Sequence, residues 1–573
     1  MSKQDYLKIL TCAETEDTSS VINKMSIKNN EYVKGIVAVI SNENKLIGCF
    51  ADGDLRRIIN DNADLNLPIS NFMVRNPISV MECDIDDVNT WNNIKDLEVQ
   101  FKKNVKTIFV LNDQKELLGA LNRNYYISEF LEDFQNTKSC IMGLGFVGLT
   151  VACHISSYNM EVIGYDNSLS LVDDLKNNKT KFDEPGLSNM INDSLGKGLL
   201  DFTNEIPKSD IYMISVGSPI SDDGVPDLSQ ILSCLDKITS VIKPGILIII
   251  RSTIPLGSCR EVFIPYLEKA SGLSCGVDWH LSFAPERTLE GSALQELRNL
   301  PQIVSGFSDD CLRKSSNYFR KFCKNIVEVE SLESAELAKL ACNTYRDLKF
   351  SFANELSNIC ETYNINARRL ISKINFDYDR ADIPLPSPGV GGYCLTKDPI
   401  IYTHPSKKPE SPIELGKISR KINNYALGSP NRALKKFCST YDIKSEDINI
   451  LIIGLAFKGT PETNDVRFST SIDFYNSVSP FTNKVYGFDN CLSQNEIQNL
   501  GFEKDFDINK IDNYDITGIF FLNNHRKNSN VDLLPWLNSQ GLKFVFDGWG
   551  CREDLEENDF KDFTYMTLGM LDC

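Results

Sequence analysis

Residues 139–166 read SCIMGLGFVGLTVACHISSYNMEVIGYD: an apolar strand, a glycine turn, an apolar helical run and a second strand ending on Asp166. This strand–turn–helix–strand order predicts the opening unit of a dinucleotide-binding sheet. In such a unit Gly143 permits the tight turn, and Gly145 lets the backbone approach a pyrophosphate at the helix N-terminus. Phe146 and Val147 continue the cradle, and Gly148 lets the helix pack on the strand. Asp166 follows Gly143 by 23 residues. A carboxylate there accepts a ribose 2′-OH and repels a 2′-phosphate, which favours NAD over NADP. A lone G-x-G-x-x-G can be a mere glycine-rich turn; here strand, helix and terminal acid stand in register. Working outward, YMISVGSP (212–219) and ILIIIRSTIP (246–255) read as further strands. They place Gly217, Ser218, Ser252 and Thr253 at strand C-terminal ends, where ligands collect in open α/β sheets.

The chain has 573 residues, 42% apolar and 24% charged, which is ordinary globular usage and enough for several domains. A net charge of −18 argues against duplex nucleic acid or an anionic membrane as a partner. An anionic small substrate would therefore be held by local Lys, Arg and backbone N–H groups. No apolar run approaches the length of a membrane span and MSKQDYLKIL does not read as a signal peptide, so a cytoplasmic location is expected. Seventeen Cys without a C-x-x-C pair, and four His, fit neither a zinc site nor a disulfide framework. Most of the thiols are expected to be small core residues, and no metal is expected.

Two further features bear on chemistry. Cys394 lies in PSPGVGGYCLTKDP (386–399), after a glycine pair and four residues before Asp398. A thiol presented in this way suits covalent chemistry on a carbonyl. In ELAKLACNTYRDLKFSFANE (336–355), Lys339 and Asn343 stand at i and i+4, on one helix face. Together they could stabilise charge developing on a substrate oxygen. The bland readings, a solvated Lys and a buried thiol, weigh less because both stand beside a dinucleotide motif.

The chain also echoes itself. INILIIGLAFKG (448–459) followed by VYGFDN (485–490) repeats SCIMGLGFVG followed by VIGYDN, with Ala456 in place of the glycine nearest the pyrophosphate. This second Rossmann-like unit is not expected to take NAD. Near the N-terminus, VAVISNENKLIGCF (37–50) aligns with IFVLNDQKELLGAL (108–121). The expected fold is α/β: two Rossmann-like doubly wound domains joined by a long central helix, preceded by an α+β module. The expected boundaries are 1–135, 138–325, 326–430 and 431–573.

GLGFVG, VGSP, RSTIPLG, APERTLEG, the 336–355 helix, PGVGGYC with KD, and GLAFKGTPETNDVR occur in the order found in the UDP-glucose/GDP-mannose dehydrogenase family, which the chain resembles from residue 138 onward. The N-terminal repeat resembles a pair of CBS domains. The first resemblance implies four-electron oxidation of C6 of a nucleotide sugar by NAD, serving surface polysaccharide synthesis. It implies Cys394 as nucleophile, with Lys339, Asn343, Asp398 and Thr253 around the reacting carbon and Glu286 activating or positioning water. Glu290, Lys397 and Arg467 would border the cofactor, while Gly389, Gly391, Gly392 and Lys458 would meet the UDP-sugar. Lys339 and Lys397 are expected to lower the pKa of Cys394. The central helix would form a homodimer or higher assembly.

The CBS resemblance implies an adenine nucleotide near Asp54, although Ala51 replaces a hydroxyl residue, and Asn122 and Tyr125 depart from the second half's pattern. Departures in the enzyme half are Tyr393, which varies in the family, and a Lys458–Arg467 stretch about two residues longer than its commonest form. Two other readings stay open. One is a two-electron dehydrogenase of the hydroxyacid or 6-phosphogluconate type, which has no need of Cys394. The other is a CBS-regulated nucleotide-binding protein with an inactive enzyme half.

Overall fold

The computed structural model describes residues 6–25, 32–61, 63–84, 107–122, 137–407, 409–556 and 562–571. The chain divides into two units, 1–137 with 317–326, and 138–316 with 327–573. This contact-based division differs from the expected 138–325 boundary by placing residues 317–326 with the first unit. Within this stretch Tyr318, Phe319 and Phe322 are buried and pack on one another, an aromatic cluster whose partners contact, not sequence order, decides.

The repeat in the first unit is structural. Lys8–Ala13 lies parallel to Tyr32–Ile40, which turns back as a hairpin on Leu46–Ala51. Ser79–Met81 lies parallel to Thr107–Leu111, which turns back on Leu117–Asn122. Each hairpin turn contains one left-handed residue, Asn44 (φ 58°) or Lys115 (φ 64°). The carboxylate of Asp54 accepts the Ala51 N–H at 3.1 Å and pairs with Arg57 at 3.2 Å. It is therefore engaged by its own helix, Asp52–Asn60. Tyr125 lies outside the described residues.

In the second unit six parallel strands run Leu200–Thr203, Glu161–Tyr165, Lys138–Met142, Ile211–Ile214, Leu247–Ile250, His280–Phe283 across the sheet. This is the 3-2-1-4-5-6 order of a doubly wound dinucleotide fold, with its switch point between the first and fourth strands. Both faces are covered, so the strands read as continuous apolar runs; every residue of the last three is buried. A second parallel sheet, of order 2-1-3-4-5, is built from Asn449–Ile453, Lys484–Phe488, Gly518–Phe521, Lys543–Asp547 and Phe563–Thr567.

The second sheet repeats the turn of the first but closes it. Asp489, the counterpart of Asp166, is buried, and its Oδ2 accepts the N–H groups of Leu455 (2.7 Å) and Ala456 (3.0 Å). The next helix begins only at Thr470, and the hydroxyls of Ser469 and Ser471 at its N-terminus donate to the carbonyls of Leu455 (2.6 Å) and Gly454 (2.5 Å), so this end of the helix is tied to the turn itself.

The central helix, Leu332–Tyr363, spans 32 residues and is capped by the Ser331 hydroxyl. At 1.5 Å per residue it is about 48 Å long. It packs against Leu415–Ala426 and Tyr393–Tyr402. Between them Asp347, wholly buried, accepts hydrogen bonds from Ser419 (2.7 Å), Arg420 (2.8 Å) and Asn423 (2.8 Å). Asn423 also accepts from Asn354, whose Oδ1 takes the Ser387 N–H at 2.9 Å. This network ties the glycine loop that precedes Cys394 to the central helix.

Candidate active site

The NAD cleft opens at the C-terminal ends of the first sheet. Gly143 has φ +90°, and a Cβ there would crowd Val216 at 2.8 Å. A Cβ on Gly148 would lie 1.8 Å from the Gly143 carbonyl oxygen, whereas one on Gly145 would meet nothing within 4 Å. The turn therefore needs glycine at Gly143 and Gly148 for its own packing, and Gly145 leaves room for a ligand. The helix Phe146–Ser156 has no side-chain cap, so its first N–H groups face that room unpaired by a side chain.

Asp166 fixes the turn by accepting the Leu144 N–H at 2.9 Å, beside a cavity of about 400 Å³ lined in part by Gly143, Tyr165, Val216 and Gln230. The buried hydroxyls of Ser215 and Ser218 have no hydrogen-bond partner among the described residues, while Ser252 donates to the Val216 carbonyl at 2.7 Å. An open glycine, an uncapped helix and two orphaned hydroxyls fit a dinucleotide.

Opposite the cleft stands the thiol. Gly392 (φ +86°) leads into the helix Tyr393–Tyr402, with Cys394 in its first turn. The central helix supplies Lys339 and Asn343 on one face. Lys339 Nζ donates to the Glu286 carbonyl at 2.5 Å, and Asn343 Nδ2 to Asp398 Oδ2 at 2.6 Å. The other oxygen of Asp398 pairs with Lys397 at 2.6 Å. Cys394 presents surface to the cleft yet is crowded by protein atoms. Burial, then Asp398, push its thiol above the usual value, and Lys339 and Lys397 act in the opposite sense. The expected lowering is thus corrected: both cations act as foreseen, but desolvation outweighs them, and Asp398 neutralises Lys397 at contact.

Glu286 is ion-paired with Arg251, whose side chain is fully enclosed. Its Oε1 accepts the N–H groups of Arg287 (2.8 Å) and Thr288 (2.7 Å). Burial would raise this carboxyl, but Arg251, those N–H donors and Lys339 together hold it below the usual glutamate range. Glu286 is accordingly a fixed anion suited to orienting water. Thr253 lies half-buried after Ser252 in the same loop.

The second sheet contributes the far wall. Lys458 Nζ donates to the Glu290 carbonyl at 2.6 Å. Burial, followed by Asp465, lifts the Glu290 carboxyl to about 7, and desolvation brings Lys458 down to about 8, with Arg346 acting in the same direction. Arg346, one turn beyond Asn343, was not singled out in the sequence; its signal was its place on the Lys339–Asn343 face. Arg251 was likewise missed, although an Arg at the end of ILIII has to be buried with a partner.

Arg467 is held by neighbours on its own loop and on the Cys394 helix. Its guanidinium is forked onto Asp465 (2.7–3.0 Å) and lies over the Tyr393 ring, 5.6 Å from the centroid. The glycine run before Cys394 is closely packed. Cβ atoms on Gly389, Gly391 and Gly392 would strike Leu427 (2.3 Å), the Phe468 carbonyl (2.3 Å) and Phe457 (2.7 Å), so close packing against protein requires glycine there. Gly217 is approached by the Tyr393 hydroxyl, 3.1 Å from where its Cβ would be.

One group of potential metal ligands, Glu462, Cys491 and His525, occurs among the described residues. His525 Nδ1 accepts the Asn528 N–H at 3.3 Å, which leaves the proton on Nε2, 3.1 Å from Glu462.

A dinucleotide cleft faced by an enclosed thiol, a lysine and an asparagine defines an NAD-dependent dehydrogenase, and the comparisons agree. The NAD-binding and central domains of the UDP-glucose/GDP-mannose dehydrogenase family match residues 137–323 and 333–425. The UDP-N-acetyl-D-mannosamine dehydrogenase of Pyrococcus horikoshii is 31% identical over 359 residues, covering 61% of this chain and 83% of that protein. An NDP-N-acetyl-D-galactosaminuronic acid dehydrogenase of Ralstonia solanacearum is 30% identical, over 59% of this chain and 79% of that protein. The solved UDP-N-acetyl-mannosamine dehydrogenase of Staphylococcus aureus superposes with a TM-score of 0.65 at 28% identity, covering 76% of this chain and 99% of that one. The chain belongs to the UDP-glucose/GDP-mannose dehydrogenase family: it is a nucleotide-sugar dehydrogenase, and its cofactor is NAD.

Proposed function

We propose that the protein oxidises the C6 alcohol of a UDP-N-acetylhexosamine to the uronic acid, through an aldehyde, a thiohemiacetal and a thioester on Cys394. The observation that carries this reading is the placement of Cys394 in a helix's first turn, opposite Lys339 and Asn343 and beside the Asp398–Lys397 pair. NAD supplies the hydride acceptor for both oxidations. The ammonium of Lys339 and the amide of Asn343 stabilise charge on the C6 oxygen as it forms. The Cys394 thiolate adds to the aldehyde carbon, and its C–S bond breaks when water releases the acid. Glu286, held as an anion by Arg251, orients that water. Lys458 and Arg346 offer positive charge to the diphosphate. The N-acetylhexosamine assignment rests on the names of the relatives; the product serves surface polysaccharide synthesis in the cytoplasm.

Among the described residues no helix is long and apolar enough to cross a membrane. Exposed Tyr345, Phe352, Ile359 and Tyr363 along the central helix support a homodimer. The repeated hairpins support a CBS pair at 1–135 that takes an adenine nucleotide; unchanged rate and melting temperature with AMP and ATP would remove that part.

The deciding experiment is NADH released per sugar, with wild type and Cys394→Ala, over a panel of UDP- and GDP-sugars. Two NADH per sugar with a UDP-N-acetylhexosamine, lost in the variant, is expected. One NADH per sugar, or indifference to the variant, refutes the thioester route.

A further inference from the structure

Tyr393, the residue before Cys394, stands between the thiol and the dinucleotide cleft. It opens the helix Tyr393–Tyr402, and two cations lie over its ring: Lys397 Nζ at 5.0 Å and the Arg467 guanidinium at 5.6 Å from the centroid. Each cation is itself fixed by an acid, Lys397 by Asp398 (2.6 Å) and Arg467 by Asp465 (2.7 Å). The Phe468 ring lies beside that of Tyr393, with centroids 6.1 Å apart. These contacts hold the phenol in one orientation before any ligand arrives.

That orientation carries the hydroxyl across to the first sheet. It lies 3.1 Å from where a Cβ of Gly217 would be, and the Gln230 amide oxygen approaches the same point to 3.3 Å. Gly217 follows the strand Ile211–Ile214, which pairs with Lys138–Met142 at the switch point, where an open α/β sheet binds its ligand. Val216 and Gln230 line the cavity of about 400 Å³ there, together with Gly143. Among the described residues nothing hydrogen-bonds the Tyr393 hydroxyl, and the hydroxyls of Ser215 and Ser218 are orphaned as well. Three hydroxyls without protein partners therefore belong to the 215–218 segment or reach it, and glycine at 217 keeps the gap between the two sides open.

We infer that Tyr393 is a cofactor-binding residue supplied by the helix of the nucleophile, its hydroxyl hydrogen-bonding the nicotinamide-ribose half of NAD. A phenol O–H both donates and accepts, so it suits a ribose hydroxyl or the nicotinamide amide. The chemistry selects the half. The carbon that gives up hydride is the one that Cys394 engages, so the hydride acceptor has to approach Cys394, and Tyr393 is its neighbour. This choice of half rests on the proposed role of Cys394, whereas the contact with the cofactor rests on the position of the hydroxyl at Gly217.

The test is equilibrium binding to the full chain with no sugar present. NADH is titrated by its fluorescence, and ADP, which carries only the adenine half, is titrated as its competitor, for wild type and Tyr393→Phe. Loss of one neutral hydrogen bond should weaken NADH binding by about fivefold in the variant. The affinity for ADP should stay unchanged, because the ring and its packing remain. An NADH affinity that is unchanged or tighter overturns the proposal. An equal loss for ADP overturns it too, since that would mark a disturbance of the whole cleft. Neither titration involves turnover, so the outcome stands apart from the count of NADH per sugar that tests the thioester route.

Discussion

Replacing Glu286 by Gln tests whether this carboxylate is a fixed anion. The Arg251 side chain is 0% exposed, and besides Glu286 it donates to the Gln302 amide oxygen at 3.1 Å. Breaking a buried pair on one side costs about 3–5 kcal/mol, because the surviving charge stays desolvated. Gln still accepts a neutral hydrogen bond, which places the loss near the lower limit, about 3 kcal/mol. Urea unfolding of Glu286→Gln, Arg251→Met and the double variant measures it. The double variant should be less destabilised than the sum of the singles by about 2 kcal/mol or more.

The pH dependence has a definite sign. The folded carboxyl lies below the ordinary value of 4.5, so its contribution is complete above that pH and is lost as pH falls through the folded value. The gap between wild type and Glu286→Gln should therefore narrow in acid. Additive single losses, or a gap that holds unchanged into strong acid, would refute the fixed-anion account.

Cys394 alkylation should rise with pH to a midpoint above the ordinary thiol value of 9.0, and Asp398→Asn should lower that midpoint by removing a negative neighbour; a higher midpoint would contradict the electrostatics. Gly145→Val should raise the KM for NAD at least tenfold (about 1.4 kcal/mol) with little change in melting, since the new side chain enters ligand space. Gly148→Ala should instead destabilise the fold by about 1–3 kcal/mol, because its Cβ meets the Gly143 carbonyl, and thermal melts separate the two. Asp347→Ala should cost about 3–5 kcal/mol by stranding buried Arg420, and should disorder the loop before Cys394, which limited proteolysis reads.

Much of this architecture is written in local sequence. The run from Ser139 to Asp166 specifies strand, turn, helix and strand because each step is a short-range matter: apolar period, a glycine at positive φ, an acid at the strand end. The i and i+4 spacing of Lys339 and Asn343 likewise sets their common face through helix geometry alone, and Ala456 marks the second turn as altered. What distant segments do to one another is not local. Sequence suggested that Lys339 and Lys397 would acidify Cys394, but the balance depends on how deeply the sulfur is packed and on Asp398 reaching Lys397 first. The same holds for Arg251, an unremarked strand end until Glu286 folds onto it from 35 residues away. Sequence by itself determined which residues could do the chemistry, because periodicity and turn sterics act between near neighbours. Only the tertiary structure decided their charge states and partners, because desolvation and ion pairing depend on the distances at which separate elements finally pack.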